Sequence, residues 1–82
     1  MADNKKKITS VFTKESAESA ERIKEILRTE GKVEVVNQYE TFYGVGFDRW
    51  FREQLKDIDC TIEVTGYNKW YGYPWEYIVT MN

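Results

Sequence analysis

The spacing between apolar residues changes repeatedly along this chain, from the two-residue period of a strand to the three- and four-residue period of a helix. Alternating, β-branched segments predict strands over residues 8–12, 32–38, 41–45, 60–66 and 75–81. Apolar stripes at helical spacing predict helices over residues 14–30 and 48–58. The predicted order is therefore β-α-β-β-α-β-β.

The first predicted helix has clear signals at both ends. Thr13 is a plausible N-cap, and Gly31 stands where a left-handed residue often ends a helix. Ile23 and Leu27 belong to one apolar stripe, while charged residues fill the opposite side. We expect this helix to cover the sheet and to carry no site.

The segment between the second strand and the second helix has two interpretations. Residues 41–45 can pair back as a third strand, with the turn at residues 38–40. The alternative is one long bent strand over residues 33–47, because no Asn-Gly pair marks a hairpin turn here. The sequence leaves both open.

These elements predict an α+β fold in which two helices cover one face of a small, mostly antiparallel sheet. The first six elements resemble the ferredoxin-like, or split βαβ, arrangement, and the last strand would form a hairpin with the strand before it. The resemblance implies a fold and no particular activity, since this arrangement serves many functions.

The most unusual segment is residues 66–77, which holds six of the chain's thirteen aromatic residues among turn-forming residues. Its rings either fold back to close the edge of the core or are displayed to a partner. Trp75 and Tyr77 belong to the last strand and are expected in the core. The candidate partner-binding residues are Tyr67, Lys69, Trp70, Tyr71 and Tyr73. The Tyr73–Pro74 peptide bond could be cis or trans.

Length and composition indicate one folded domain. The chain has 82 residues, of which 41% are hydrophobic and 16% aromatic. The net charge is −2, and it divides into a flexible basic arm over residues 1–7 and an acidic domain over residues 8–82. One cysteine, no secretory segment and no long apolar run predict a cytoplasmic protein without a membrane partner.

The residues offer little for catalysis or for a metal. The chain has no histidine, and Cys60 opens an apolar strand, where a buried structural thiol is expected. Asp57, Asp59 and Glu63 lack the surrounding glycine-centred loop of a calcium site. The pattern Gly44-x-Gly46 resembles a phosphate-binding turn, but Arg49 stands where a third small residue is needed. We therefore expect no catalytic residue, no metal and no cofactor.

A non-enzymatic, acidic protein-binding module is the function that this pattern favours. Its aromatic loop would engage a protein with a basic surface, such as a nucleic-acid-handling or defence enzyme. In profile the chain resembles small phage-encoded inhibitors. The alternative is a single-stranded nucleic-acid-binding module that stacks bases on exposed rings, although the charge has the wrong sign. A homodimer is also possible, through the predicted edge strand 75–81.

Overall fold

A computed structural model describes residues 8–38, 44–69 and 72–82, with side chains in the second range described from residue 46 onward. The elements are β1 (Ser10–Thr13), α1 (Ala17–Glu30), β2 (Lys32–Asn37), α2 (Gly44–Leu55), β3 (Cys60–Tyr67) and β4 (Pro74–Met81). The predicted α+β class is confirmed: one four-stranded mixed sheet and two helices are consistent with a ferredoxin-like or split βαβ variant. The predicted arm over residues 1–7 lies outside the described residues.

The strand order in the sheet is β1-β2-β4-β3. β1 pairs in parallel with β2, as the crossover through α1 predicts, and β3 and β4 form the predicted antiparallel hairpin. However, β4 also pairs antiparallel with β2, so it lies inside the sheet. The prediction that residues 75–81 form an edge strand is therefore wrong, because both sides of β4 are already hydrogen-bonded.

Both ends of α1 are capped by hydrogen bonds to its terminal backbone groups, from a side chain at the start and from the backbone at the end. Its N-cap is Ser16 and not Thr13, because the Ser16 hydroxyl oxygen accepts from the Ser19 N–H at 3.1 Å. At the other end Gly31 takes a left-handed φ of 79°, and its N–H donates to the Leu27 carbonyl oxygen at 2.8 Å. Both ends of the helix are therefore fixed by hydrogen bonds.

α2 begins at Gly44 and ends at Leu55. It starts four residues before the predicted start at residue 48 and ends three residues before the predicted end at residue 58. Residues 44 and 45 are helical. The predicted third strand over residues 41–45 and the alternative bent strand over residues 33–47 are therefore both wrong from residue 44 onward. Residues 41–43 lie outside the described residues. Phe47, Phe51 and Leu55 recur every four residues and are all buried. Their packing outweighs the poor helix propensity of the two glycines.

Both helices pack on the same face of the sheet, where their buried residues join those of the strands in one core. Phe51 lies at the centre, with its ring 5.8 Å from that of Phe47 and 4.6 Å from that of Tyr77. The other side, here called the open face, carries Phe12, Lys32, Glu34, Val36, Thr61, Glu63, Glu76, Ile78 and Thr80 by strand alternation. No described helix covers this face.

Candidate partner-binding surface

The aromatic segment is mostly strand, and only residues 68–73 connect β3 to β4. The Asn68 N–H donates to the Tyr73 carbonyl oxygen at 2.8 Å, and the Gly72 N–H donates to the Asn68 carbonyl oxygen at 2.9 Å. Gly72 has a left-handed φ of 74°, a conformation that glycine adopts without steric cost. These bonds close the connection, which is two residues shorter than the segment 67–74 between the two predicted strands.

Below this tip the pairing of β3 with β4 is irregular. The register shifts between Val64 and Gly66 and again between Gly66 and Tyr67. The Glu76 side chain lies across Gly66, so that a Cβ at position 66 would be 2.6 Å from its Oε1 atom. Bulges of this kind increase the twist of a strand and change the direction of the side chains that follow. The residue that follows here is Tyr67.

The hairpin tip brings together the predicted binding residues that the structure describes. Tyr67, the last residue of β3, exposes 60% of its surface. Lys69 is exposed in the turn, and Tyr73 is half-buried on the return. Trp70 and Tyr71 lie outside the described residues. The Tyr73–Pro74 peptide bond is trans.

The prediction that Tyr77 belongs to the core is confirmed, because its side chain is fully buried, whereas Trp75 is half-buried. The Tyr77 hydroxyl donates to Asp48 Oδ1 at 2.8 Å and lies 3.3 Å from the Pro74 carbonyl oxygen. The same Asp48 carboxylate accepts from Arg52 Nε at 3.1 and 3.2 Å. These bonds fix the base of the hairpin to α2.

Burial is the main reason why the pKa of Tyr77 is raised. The hydrogen bond to Asp48 and the charge of that carboxylate raise the pKa further, while the charge of Arg52 lowers it and Tyr67 adds a small increase. The phenol therefore stays protonated and keeps its donor role. Asp48 and Arg52 were not among the residues predicted from the sequence, although their four-residue spacing on a helix was a usable signal.

The end of the sheet that carries the hairpin tip also holds buried polar side chains. Thr13 and Asn37 are register partners at the carboxyl ends of β1 and β2, and Asn68 follows β3. The exposed fractions of Thr13, Asn37 and Asn68 are 2%, 1% and 2%. Polar residues of these types are usually exposed, so hydrophobic patterning gave no sign of them.

An anion bound at Gly44-x-Gly46 would have to compete with a carboxylate of the chain itself. Both glycines lie in the first turn of α2, and the Glu15 carboxylate is beside Gly46, where an added Cβ would be 3.4 Å from Glu15 Oε2. A carboxylate near a helix N-terminus interacts favourably with the helix dipole. An incoming phosphate would have to displace or repel this carboxylate.

The other candidate chemical groups are also engaged in structural contacts. Cys60 is half-buried, and burial, followed by the charge of Asp59, raises the pKa of its thiol, which keeps it protonated and weakly nucleophilic. The Asp59 carboxylate accepts from the Asn82 side-chain amide at 2.9 Å. Within residues 8–38, 44–69 and 72–82, no three acidic, cysteine or histidine side chains are grouped in a way that could hold a metal ion.

Comparison with protein-family models, curated proteins and solved structures finds no match to this chain. Neither of the described helices is long and apolar enough to cross a bilayer. The function must therefore be argued from the surface itself, because a fold of this class is compatible with many functions.

Proposed function

We propose that this protein is a small, acidic, non-enzymatic binding protein that engages another protein through the tip of the β3–β4 hairpin. The contact residues would be Tyr67, Lys69, Trp70, Tyr71 and Tyr73. The observation that carries the proposal is the position of Tyr67, which exposes 60% of its surface although its backbone is part of a hydrogen-bonded strand. Exposed tyrosines on rigid frames are typical of binding hot spots.

The hydrogen bonds of the described part of the hairpin support this role. Two backbone bonds join Asn68 to Gly72 and Tyr73, and the base of the hairpin is held to α2 through the Tyr77 hydroxyl and Asp48. Backbone that is already hydrogen-bonded loses less conformational entropy on binding, so more of the contact energy appears as affinity. Lys69, exposed at the tip, would orient the contact through its charge.

The charge of the open face supports a partner with a basic surface. In the described strands this face carries one basic residue, Lys32, and three acidic residues, Glu34, Glu63 and Glu76. The whole chain has a net charge of −2. Complementary charge accelerates encounter with a positively charged partner and discriminates against others. Enzymes that handle nucleic acid present such surfaces, so we propose a cytoplasmic inhibitor of such an enzyme or of a defence enzyme, of the phage-encoded type.

The same glutamates weigh against the alternative of single-stranded nucleic-acid binding. Binding of that kind combines exposed rings with basic side chains that follow the phosphate backbone. Phe12, which exposes 71% of its surface, lies on the open face among strands whose charge is mainly negative. No described feature favours this alternative over a protein partner.

Capture of the partner by matched variants tests the proposal. Tagged wild-type protein, Tyr67→Ala and Phe12→Ala are used as baits in lysate from the native host, and the Kd for the captured protein is then measured. We expect Tyr67→Ala to weaken binding by about tenfold or more, since hot-spot tyrosines contribute at least roughly 1.4 kcal/mol. Phe12→Ala removes an aromatic ring that is also exposed but lies on β1, and should leave the Kd unchanged.

Two results would contradict the proposal. The first is equal affinity of wild type and Tyr67→Ala for every protein captured. The second is an equal loss in both alanine variants, which would indicate general apolar adhesion and not recognition by the hairpin tip.

A further inference from the structure

The outer edge of β3 has regular, unpaired backbone groups among the residues that the structure describes. The Asn82 N–H donates to the Asp59 carbonyl oxygen, so residues 59, 61 and 63 direct their backbone groups toward β4. The alternate residues, Cys60, Ile62 and Val64, must then direct their N–H and C=O groups away from the sheet. They form an edge that can accept another strand.

The side chains on this edge are apolar and only partly covered. Cys60, Ile62 and Val64 are half-buried and pack at the margin of the core. Natural sheets usually protect an edge with lysine, proline or an inward-pointing charge. β3 has a bulge beyond Val64, but its first five residues, 60–64, carry none of these protections on the core side.

We propose that β3 of one copy pairs antiparallel with β3 of a second copy, about a two-fold axis at Ile62. Ile62 would face Ile62 of the second copy, and Cys60 would face Val64 of the second copy. Each of the three facing pairs exchanges two hydrogen bonds. The two four-stranded sheets would become one continuous sheet with all helices on the same side.

The charged side chains near β3 favour this pairing register over the two adjacent registers. With Ile62 on the axis, Thr61 faces Glu63 of the second copy, a neutral residue opposite an acid. Moving the second strand to the next register in one direction places Glu63 directly opposite Glu63 of the second copy. Moving it to the next register in the other direction places Asp59 opposite Glu63 of the second copy. Like charges directly opposite one another are destabilising, so both shifted registers are disfavoured.

The other described edge is less suited to such pairing. β1 has only four residues, and its backbone groups that point away from β2 belong to Ser10 and Phe12. The Thr9 and Thr13 carbonyl oxygens point the other way and accept from the N–H groups of Glu34 and Gln38. The side chains of Glu18 and Arg22 from α1 line a cleft of about 320 Å³ along this edge. A second copy would meet two charged side chains there, and would gain fewer hydrogen bonds.

Sedimentation of two substitutions at one position tests the backbone pairing. Ile62→Ala removes most of the side chain and keeps the outward N–H, whereas Ile62→Pro also removes that N–H, which bonds to nothing within its own sheet. Wild type and Ile62→Ala should sediment as species of twice 9.8 kDa at high concentration. Ile62→Pro should remain monomeric, or raise the dimer Kd by at least about tenfold over Ile62→Ala.

A cysteine cross-link provides a test that does not depend on a proline in the strand. In Val64→Cys, the new thiol would face the native Cys60 of the second copy at a Cα separation that a disulfide can bridge. Mild oxidation should give a covalent dimer on a non-reducing gel. Wild type, whose two Cys60 residues would lie far apart in this register, should stay monomeric on the same gel.

A wild-type protein that sediments as a monomer throughout the dilution series would overturn the proposal. So would an Ile62→Pro variant that is folded by circular dichroism and as dimeric as Ile62→Ala. Absence of the cross-link in Val64→Cys would rule out this register.

Discussion

The Tyr77 side chain packs against Phe51 within the core, and its hydroxyl reaches the carboxylate of Asp48 on α2. A buried phenol that donates to a carboxylate is satisfied only in its neutral form. One residue thus joins the core to the base of the hairpin, and its protonation should influence the stability of the whole domain.

Replacement of Tyr77 by phenylalanine tests this link. Because the folded state raises the pKa of Tyr77 above its ordinary value of 10.0, the unfolded chain loses this proton first as the pH rises. The contribution is complete below pH 10.0 and is lost progressively above it. Tyr77→Phe should lower the free energy of unfolding by about 1–2 kcal/mol at neutral pH and should make its decline above pH 10.0 shallower.

Urea denaturation from neutral to strongly alkaline pH provides the measurement. Tyr67→Phe is the matched control, because the Tyr67 ring is largely exposed, and it should change stability by less than about 0.5 kcal/mol. If Tyr77→Phe and wild type lose stability in parallel above pH 10.0, then the Tyr77 phenol is not the group responsible.

The sequence predicted the buried position of Tyr77 and missed its hydrogen bond. Alternation along the last strand is a local pattern, so it indicated which rings face the core. The bond to Asp48 joins residues 29 positions apart, and depends on α2 crossing over β4. The burial of Thr13, Asn37 and Asn68 was not predicted for a related reason, since nothing local distinguishes a buried polar residue from an exposed one.

The hairpin between β3 and β4 contains a glycine in a left-handed conformation. Gly72 has a φ of 74°, and its N–H closes the turn on Asn68. A Cβ at position 72 would meet no atom within 4 Å, so any cost of a substitution there comes from the backbone and not from a clash.

Gly72→Ala should therefore lower the free energy of unfolding by about 1–2 kcal/mol, the usual cost of a left-handed conformation for a residue with a Cβ. Gly72→Asn should cost less, because asparagine tolerates this conformation better. Urea denaturation of both variants measures the difference. An alanine variant as stable as wild type would mean that the turn adopts another conformation in solution.

The sequence predicted most elements, the pairing of β1 with β2 and the β3–β4 hairpin, but not the pairing of β4 with β2. Both faces of β4 are partly buried, since Ile78 is half-covered while Tyr77 and Val79 are buried, which is typical of an inner strand. The prediction of an edge strand over residues 75–81 did not take the apolar residues on both faces into account. The start of α2 was also missed, because two glycines favour a loop locally and only the packing of Phe47 and Phe51 makes the helix stable there.

At the scale of the whole molecule, the domain has one face covered by helices and one open face with mainly negative charge. The hairpin tip lies at one end of this sheet and the outer edge of β3 along one side. The proposed partner contact centres on the hairpin tip, and the proposed dimer contact on residues 60–64 of β3.

The charge of the open face predicts that single-stranded DNA and RNA do not bind. Labelled oligonucleotides titrated at about 50 mM salt should show no change in fluorescence anisotropy, because electrostatic attraction to phosphate is strongest at low salt. Binding that weakens with added salt and is lost in Tyr67→Ala would favour the nucleic-acid alternative over the protein partner.

The inner position of β4 has a consequence for the order in which the fold is assembled. β4 follows every other element along the chain, yet β2 and β3 are joined only through it. Until β4 pairs with both of its neighbours, the β1–α1–β2 unit and the α2–β3 unit have no strand pairing between them. Insertion of β4 between β2 and β3 is thus the step that joins the two units into one sheet.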